Sequence, residues 1–502
     1  MTTSLEMPSI DVLPEVRDFI ASPLKMYIDG EFVDAADGGT FATYDPATGG
    51  KIADVAEAGV EDVDRAVRAA NAALEGPWSK LRPTDRGRLL ERLAILVEEH
   101  ADELAQLESL DSGKPVSHIR AADIPMVWEN LRYYAGWPTK IEGETIPTGF
   151  VDTHVYTRKE PVGVVGAIVP WNFPLTQATF KLAPALAAGC TVVLKPAEQT
   201  PLTAIRLAAL IEEAGFPAGV VNVCPGLGEV TGQALVDHPN VHKIAFTGSV
   251  EVGKLIAERA AGSLKRVSLE LGGKSPNIIF PDADLALASE SAAAAIFFYT
   301  GQLCSAGSRL MVHRDAYDEV VSSVIEHAGK LKIGPGLDAE TTLGPLVSQD
   351  QHDRVSKYID LGRSEGANIA LGDSGEGNGG TEAGYFVNPT VIVDAPDEMT
   401  LVKEEIFGPV LVAQPFDSVE ELARRANTSD YGLSAGVWTT NVKTAHTMAK
   451  LLRSGTVWVN CYNYFDATAP WGGFKLSGYD RDCGREGLEK YLETKTIWTS
   501  LE

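Results

Sequence analysis

Between residues 162 and 247, four short apolar and largely β-branched runs recur at even spacing: VGVVGAIV, TVVLK, VVNVC and KIAFT. Stretches of helical spacing separate them. Runs that are apolar on both faces need cover on both sides, and alternation with helices supplies it. The pattern therefore predicts a parallel sheet wrapped by helices. Such sheets bind ligands beyond the carboxyl ends of their strands. The loops after Val169, Leu194, Cys224 and Phe246 are thus expected on the binding side. One intervening helix is predicted to start at Thr200-Pro201 and to stop at Gly215-Phe216-Pro217.

Around this unit the chain is ordinary for a globular protein. Residues 1–24 lack strong periodicity and read as a loose N-terminal extension. Lys25–Val33 reads as a hairpin turning at Asp29-Gly30. Glu61–Leu74 and Asp85–Ser109 have helical spacing with acidic starts. A second α/β region is expected from about Gly273 into the 480s. It opens with a strand at Ser275–Phe280 and an alanine-rich helix at Leu285–Phe298, and Gly372–Gly380 reads as a surface loop.

The balance of 43 basic and 69 acidic residues gives a formal net charge of −26. That surface argues against nucleic acid and anionic membranes as partners. Cys190, Cys224, Cys304, Cys461 and Cys483 are odd in number and form no C-x-x-C pair. A reducing cytoplasm is therefore expected, without a disulfide framework or a metal site. The N-terminus lacks the basic and apolar regions of a signal peptide. His238 and His242 have i, i+4 spacing, but Pro239 keeps them from sharing a helix face as metal ligands.

Five segments could carry chemistry, and each has an ordinary structural reading when taken alone. Phe246–Gly253 is a strand running into a glycine turn and a helix, where backbone N–H groups favour a pyrophosphate. Gly226-Leu-Gly228 is a similar turn. Leu194–Glu198 places Lys195 and Glu198 at a strand end, where they could bond a ribose. A carboxylate there accepts from ribose hydroxyls and repels a 2′-phosphate, which favours NAD over NADP. Gly301–Ser308 surrounds Cys304 with small residues that allow close approach to a thiolate nucleophile. Ser268–Lys274 sets Glu270 in an apolar strand, where its pKa should rise into the range of a general base. Val169–Pro174 holds Asn172 between two prolines as a rigid amide donor for an oxyanion.

Together these segments resemble the aldehyde dehydrogenase superfamily. PWNFP, KPAEQTP, FTGS-x-x-x-G, LELGGKS, GQLCSAGSR, EEIFGPV and PWGGFKLSG occur in the family's order across roughly residues 25–500. The resemblance implies an α/β fold of three parts. These are a Rossmann-like NAD domain (25–137 and 160–272), an α/β catalytic domain (273–486) and a small β oligomerisation arm (138–159 and 487–502). It implies Cys304 as nucleophile, Glu270 as base, and Asn172 with the Cys304 backbone N–H as oxyanion hole.

For NAD, the resemblance implies that Lys195 and Glu198 hold the adenosine ribose. Ser249 holds the pyrophosphate with its neighbours Thr247, Gly248 and Val252, and Gly228 lies on the adenine side. Glu405 holds the nicotinamide ribose and Phe407 packs on the nicotinamide. Val169, Pro170, Trp171, Leu271 and Gly272 complete that surface. Phe173, Thr176, Gln177, Phe180, Phe298, Leu303, Tyr464, Phe465 and Trp471 would border the substrate entrance, an apolar tunnel suited to aliphatic or aromatic aldehydes.

The implied reaction is oxidation of an aldehyde to its acid through a thiohemiacetal and thioester on Cys304, in a homodimer or homotetramer. Glu270 argues against a CoA-acylating relative, which usually lacks that glutamate. The cofactor segments argue against a cysteine hydrolase without redox, and intact Cys304, Glu270 and Asn172 argue against a purely structural protein. One departure is Asp482, where many relatives carry a glutamate assigned to a proton relay; the shorter side chain puts that reach in doubt.

Overall fold

The computed structural model describes residues 12–372 and 384–502. Two large sheets organise it. The first has eight strands in the order Gly478–Tyr479, Arg266–Glu270, Lys243–Thr247, Val164–Ile168, Thr191–Lys195, Val221–Val223, Met26–Ile28 and Glu31–Val33. The five from Arg266–Glu270 to Val221–Val223 run parallel, as the apolar runs predict. Four of them, Val164–Ile168, Thr191–Lys195, Val221–Val223 and Lys243–Thr247, are buried at every position. The hairpin turns through Asp29 and Gly30, both at positive φ.

The second sheet has seven strands, in the order Asn368–Leu371, Thr390–Val393, Val410–Phe416, Arg309–His313, Pro276–Ile279, Ser434–Trp438 and Thr456–Val459. All neighbours are parallel except the first pair. Leu285–Phe297 forms the expected alanine-rich helix. Most of Gly372–Gly380, the predicted surface loop, lies outside the described residues. Gly478–Tyr479 comes from the C-terminal part of the chain yet pairs with Arg266–Glu270 of the first sheet. It thereby ties the strand that ends in Glu270 to the PWGGFKLSG segment.

Several local expectations change. Residues read as a loose extension include a helix, Pro14–Ala21, whose Val16 and Ile20 pack in one apolar cluster with Leu107, Leu110 and Leu202. Two turns are too short to show periodicity in the sequence, and tertiary burial stabilises them. The stretch 85–109 is two helices, Pro83–Glu99 and Ala101–Ser112, meeting at His100, whose φ and ψ are −101° and 20°. The helix after Thr200-Pro201 spans Leu202–Ala214, one residue later than its capping pattern suggests. In the arm, Thr153–Pro161 pairs antiparallel with Leu492–Ser500 over nine positions. Residues 484–489 are helical instead, with the Gly487 N–H donating to the Cys483 carbonyl.

No helix among the described residues is long and apolar enough to cross a membrane.

Candidate active site

The loop Val169–Phe173 follows the central strand Val164–Ile168 and feeds the helix Pro174–Ala188. Asn172 is buried, and its Nδ2 donates to the Gln302 carbonyl at 2.9 Å. An asparagine side chain from the first sheet thus reaches the segment carrying Cys304. The amide carries a second N–H that this bond leaves over.

Cys304 follows an irregular turn in which Tyr299 and Thr300 both have positive φ, 48° and 54°. Two further residues brace it from the other side. The Tyr462 hydroxyl donates to the Ser305 carbonyl at 2.9 Å, and the Ser305 hydroxyl donates to Asn463 Oδ1 at 2.8 Å. The thiol opens on a cavity of 940 Å³ with a mostly apolar lining. Burial, then the negative charges of Glu405 and Glu270, push the thiol up to about 12. In the free protein the group is therefore a thiol, and thiolate must be drawn out during turnover. Alkylation of Cys304 by iodoacetamide should accelerate about tenfold per pH unit from pH 7 to 9, without a plateau. Mass spectrometry of the labelled peptide checks this, and a plateau below pH 9 would contradict it.

Glu270 ends strand Arg266–Glu270. Both its carboxylate oxygens are buried without a hydrogen-bond partner, and Oε1 lies 2.6 Å from where a Cβ on Gly472 would stand. Gly472, at φ +154°, therefore makes the room this carboxylate occupies. Burial, then the nearby Asp482 charge, raise Glu270 well above the ordinary carboxylate range. Asp482 itself is fully buried, with Oδ2 paired to Lys181 and Oδ1 to Lys490. Against the upward pull of burial, those two ammoniums hold its carboxyl down at about 2. Both oxygens are occupied, so Asp482 is a fixed anion here rather than a free proton carrier.

On the opposite side, Glu405 Oε1 accepts the Gly273 N–H at 2.8 Å. Any side chain at Gly272 would collide with the Glu405 carboxylate. Arg354 and Gln351, on the helix Gln349–Ser364, donate to the carbonyls of Glu405 and Phe407 at 2.8 and 2.6 Å. Phe407, at φ 63°, meets Trp171 edge-on at 5.3 Å between ring centroids.

The remaining cofactor candidates line the carboxyl edge of the first sheet. Lys195 is buried and donates to Glu198 Oε2 at 3.0 Å. Ser249 is exposed and caps the twelve-residue helix Val250–Ala261 through the Val252 N–H. The Thr247 hydroxyl is buried without a partner at the strand end. No atom lies within 4 Å of where a Cβ on Gly228 would stand. Val230, Val252 and Leu255 are exposed apolar residues near these turns. An unpartnered hydroxyl, an anion-favouring helix start and uncovered apolar side chains suit pyrophosphate and adenine.

Of the predicted tunnel residues, Phe173, Thr176, Gln177, Phe180, Phe298, Leu303, Phe465 and Trp471 line the cavity. Tyr464 does not. Its side chain is 76% exposed, and only its carbonyl is used, accepting from the Trp458 indole at 3.0 Å. The resemblance set it at the entrance, and it is the neighbouring Phe465 that lines the cavity, packed on Trp458 and Trp471. The sequence reading also missed one whole wall. Asp123, Met126 and Tyr133 line the cavity from residues 122–133, where nothing but helical spacing marks the segment.

The fold and site define a class: a two-sheet α/β enzyme with a dinucleotide-type sheet and a thiol-bearing pocket lined by helices and loops. The aldehyde dehydrogenase family model matches residues 32–497, and the chain belongs to that family. It is 54% identical over 495 residues to the DhaS protein of Bacillus subtilis, covering 98% of this chain and 99% of the relative. It is 49% identical over 492 residues to mouse retinaldehyde dehydrogenase 3, covering 97% and 95%. The NAD⁺ complex of an aldehyde dehydrogenase from Bacillus cereus superposes with a TM-score of 0.96 at 52% identity, covering 98% of this chain and 100% of that one. The protein is an NAD-dependent oxidoreductase that converts an aldehyde to its carboxylic acid.

Proposed function

We propose that Cys304, Glu270 and Asn172 carry this oxidation and that the preferred substrates are apolar aliphatic or aromatic aldehydes. The observation that carries the reading is the meeting of Asn172 with the segment carrying Cys304, whose thiol lines a mostly apolar cavity. Cys304 gives up its thiol proton to solvent and attacks the aldehyde carbon as the thiolate, and the oxyanion is held by the spare Asn172 N–H and the Cys304 backbone N–H. One such donor is worth about 10²–10³ in rate. A bound NAD would supply the hydride acceptor, and loss of hydride from the Cys304 adduct would leave a thioester on that sulfur. Glu270, raised by burial, takes a proton from water as the water attacks the thioester, and the acid leaves. Lys195 and Glu198 hold the adenosine ribose, Glu405 the nicotinamide ribose, and Trp171 with Phe407 closes the nicotinamide end.

The substrate proposal is tested by kcat/KM across a panel of hexanal, benzaldehyde, betaine aldehyde and succinic semialdehyde. The first two should lead, and a charged aldehyde in first place would overturn it. Glu198 gives a second test. Glu198→Gln removes the carboxylate that disfavours a 2′-phosphate and should raise kcat/KM for NADP about tenfold, with NAD falling by a similar factor. An unchanged NADP/NAD ratio would remove Glu198 from the ribose site.

The arm strands Thr153–Pro161 and Leu492–Ser500, with Phe150, Val151 and Trp498 exposed beside or on them, support assembly into a homodimer or homotetramer. The five cysteines, all free, support a reducing cytoplasmic location.

A further inference from the structure

The helix Ala101–Ser112 and the turn after it place three ionisable side chains directly beneath the site. Glu108 Oε2 accepts the Leu175 N–H at 3.3 Å, at the start of the helix that follows Asn172 and Phe173. Asp111 Oδ2 accepts the Leu202 N–H at 3.0 Å, at the start of the helix that follows Lys195 and Glu198. Lys114 is 0% exposed. Its Nζ pairs with Asp123, and Glu108 Oε1 stands 4.0 Å away.

The same ammonium lies 3.5 Å from the centroid of the Phe173 ring and 4.2 Å from that of Tyr299. Those rings meet edge-on at 5.8 Å. Phe173 adjoins Asn172, and Tyr299 lies in the turn that delivers Cys304. Tyr299 is also tethered through its hydroxyl, which donates to the Ser112 carbonyl at 3.3 Å.

Burying an ammonium is costly unless it is paired, and an apolar side chain would fill the space at less cost. What the charge adds is direction. Two aromatic faces are drawn to one point from two different segments of the chain. The turn it touches needs such support, because Tyr299 and Thr300 hold left-handed backbone that side-chain-bearing residues rarely adopt.

We propose that Lys114 is a positioning residue. Its buried ammonium, wedged between Phe173 and Tyr299, locks the Asn172 loop against the Cys304 turn and keeps the two oxyanion donors in register. This rests on the assignment of Asn172 and the Cys304 N–H as those donors.

The test uses the full-length enzyme. K114M/D123N removes the ammonium together with its partner, while burial already holds Glu108 above the ordinary carboxylate range. The variant should keep its Tm within about 3 °C and its KM for NAD within about twofold, while kcat falls about 10- to 100-fold. A merely structural lysine would lower Tm and leave the kcat of the folded fraction alone. A folded K114M/D123N enzyme with kcat within about twofold of the parent overturns the proposal.

Should the double variant not fold, the pair Y299F and Y299L decides. Y299F keeps the ring and should stay within about threefold of the parent, and Y299L should fall about tenfold or more. Equal kcat in the two overturns the proposal. N172A, run alongside, separates the underlying assignment. If it retains parental kcat, the oxyanion reading fails, whatever Lys114 does.

Discussion

Replacing Cys304 with serine should lower steady-state aldehyde oxidation by about 10⁴-fold or more. The structure gives the reason. The cavity offers no second thiol, since Leu303 and Ser305 flank the position and none of Cys190, Cys224, Cys461 and Cys483 is among its lining residues. A serine hydroxyl would need a strong base at its side, whereas Glu270 keeps no hydrogen bond toward any partner and lies against Gly472. The substitution removes little volume and no packing contact, so Tm and NAD affinity should be unchanged. Absorbance at the NADH band with a saturating aldehyde reads the rate, and intrinsic fluorescence reads NAD binding. Activity within about a hundredfold of the parent would mean that another group is the nucleophile.

Glu270→Gln should separate the two halves of the reaction. Removing a general base typically costs about 10²–10⁴ in rate. That cost is expected on hydrolysis of the thioester, the step in which the proposed base takes a proton from water. Mixing enzyme, NAD and aldehyde should therefore release about one NADH per active site in a rapid burst, followed by slow turnover. In the parent, protonation of Glu270 shuts the base off at low pH. Burial and the Asp482 charge raise its pKa, so the acid limb of kcat should lie above the ordinary carboxylate range, with activity rising as pH increases through it. The variant should lose that limb. A burst that vanishes together with turnover would instead assign Glu270 to the first half of the reaction.

Much of the active site was legible before folding because its parts sit at strand ends and tight turns, where residue type is dictated locally. Asn172 lies between prolines, Glu198 follows a buried strand, and Cys304 stands among small residues; each marks itself by breaking a pattern. What was not legible lacks such a break. No motif marks Lys114, Lys181 or Lys490, yet the structure buries their side chains and pairs them with Asp123 and Asp482. Their partners stand 9, 301 and 8 residues away along the chain. The wall formed around Met126 is equally silent, because a helix lining a cavity and a helix covering a core share one periodicity. Tyr464, which the family resemblance placed at the substrate entrance, is exposed between the cavity-lining Asn463 and Phe465.

By itself the sequence determined the parallel central sheet and the family, because strand patterning and motif residues are local properties of the chain. Only tertiary structure decided which charges are buried and paired, which aromatics face the cavity, and that Gly478–Tyr479 crosses to stand beside the strand ending in Glu270. Those outcomes depend on contacts made only in the folded chain, between residues as near as Lys490 and Asp482 and as far apart as Lys181 and Asp482. Desolvation and pairing energies exist only once such segments have been brought together.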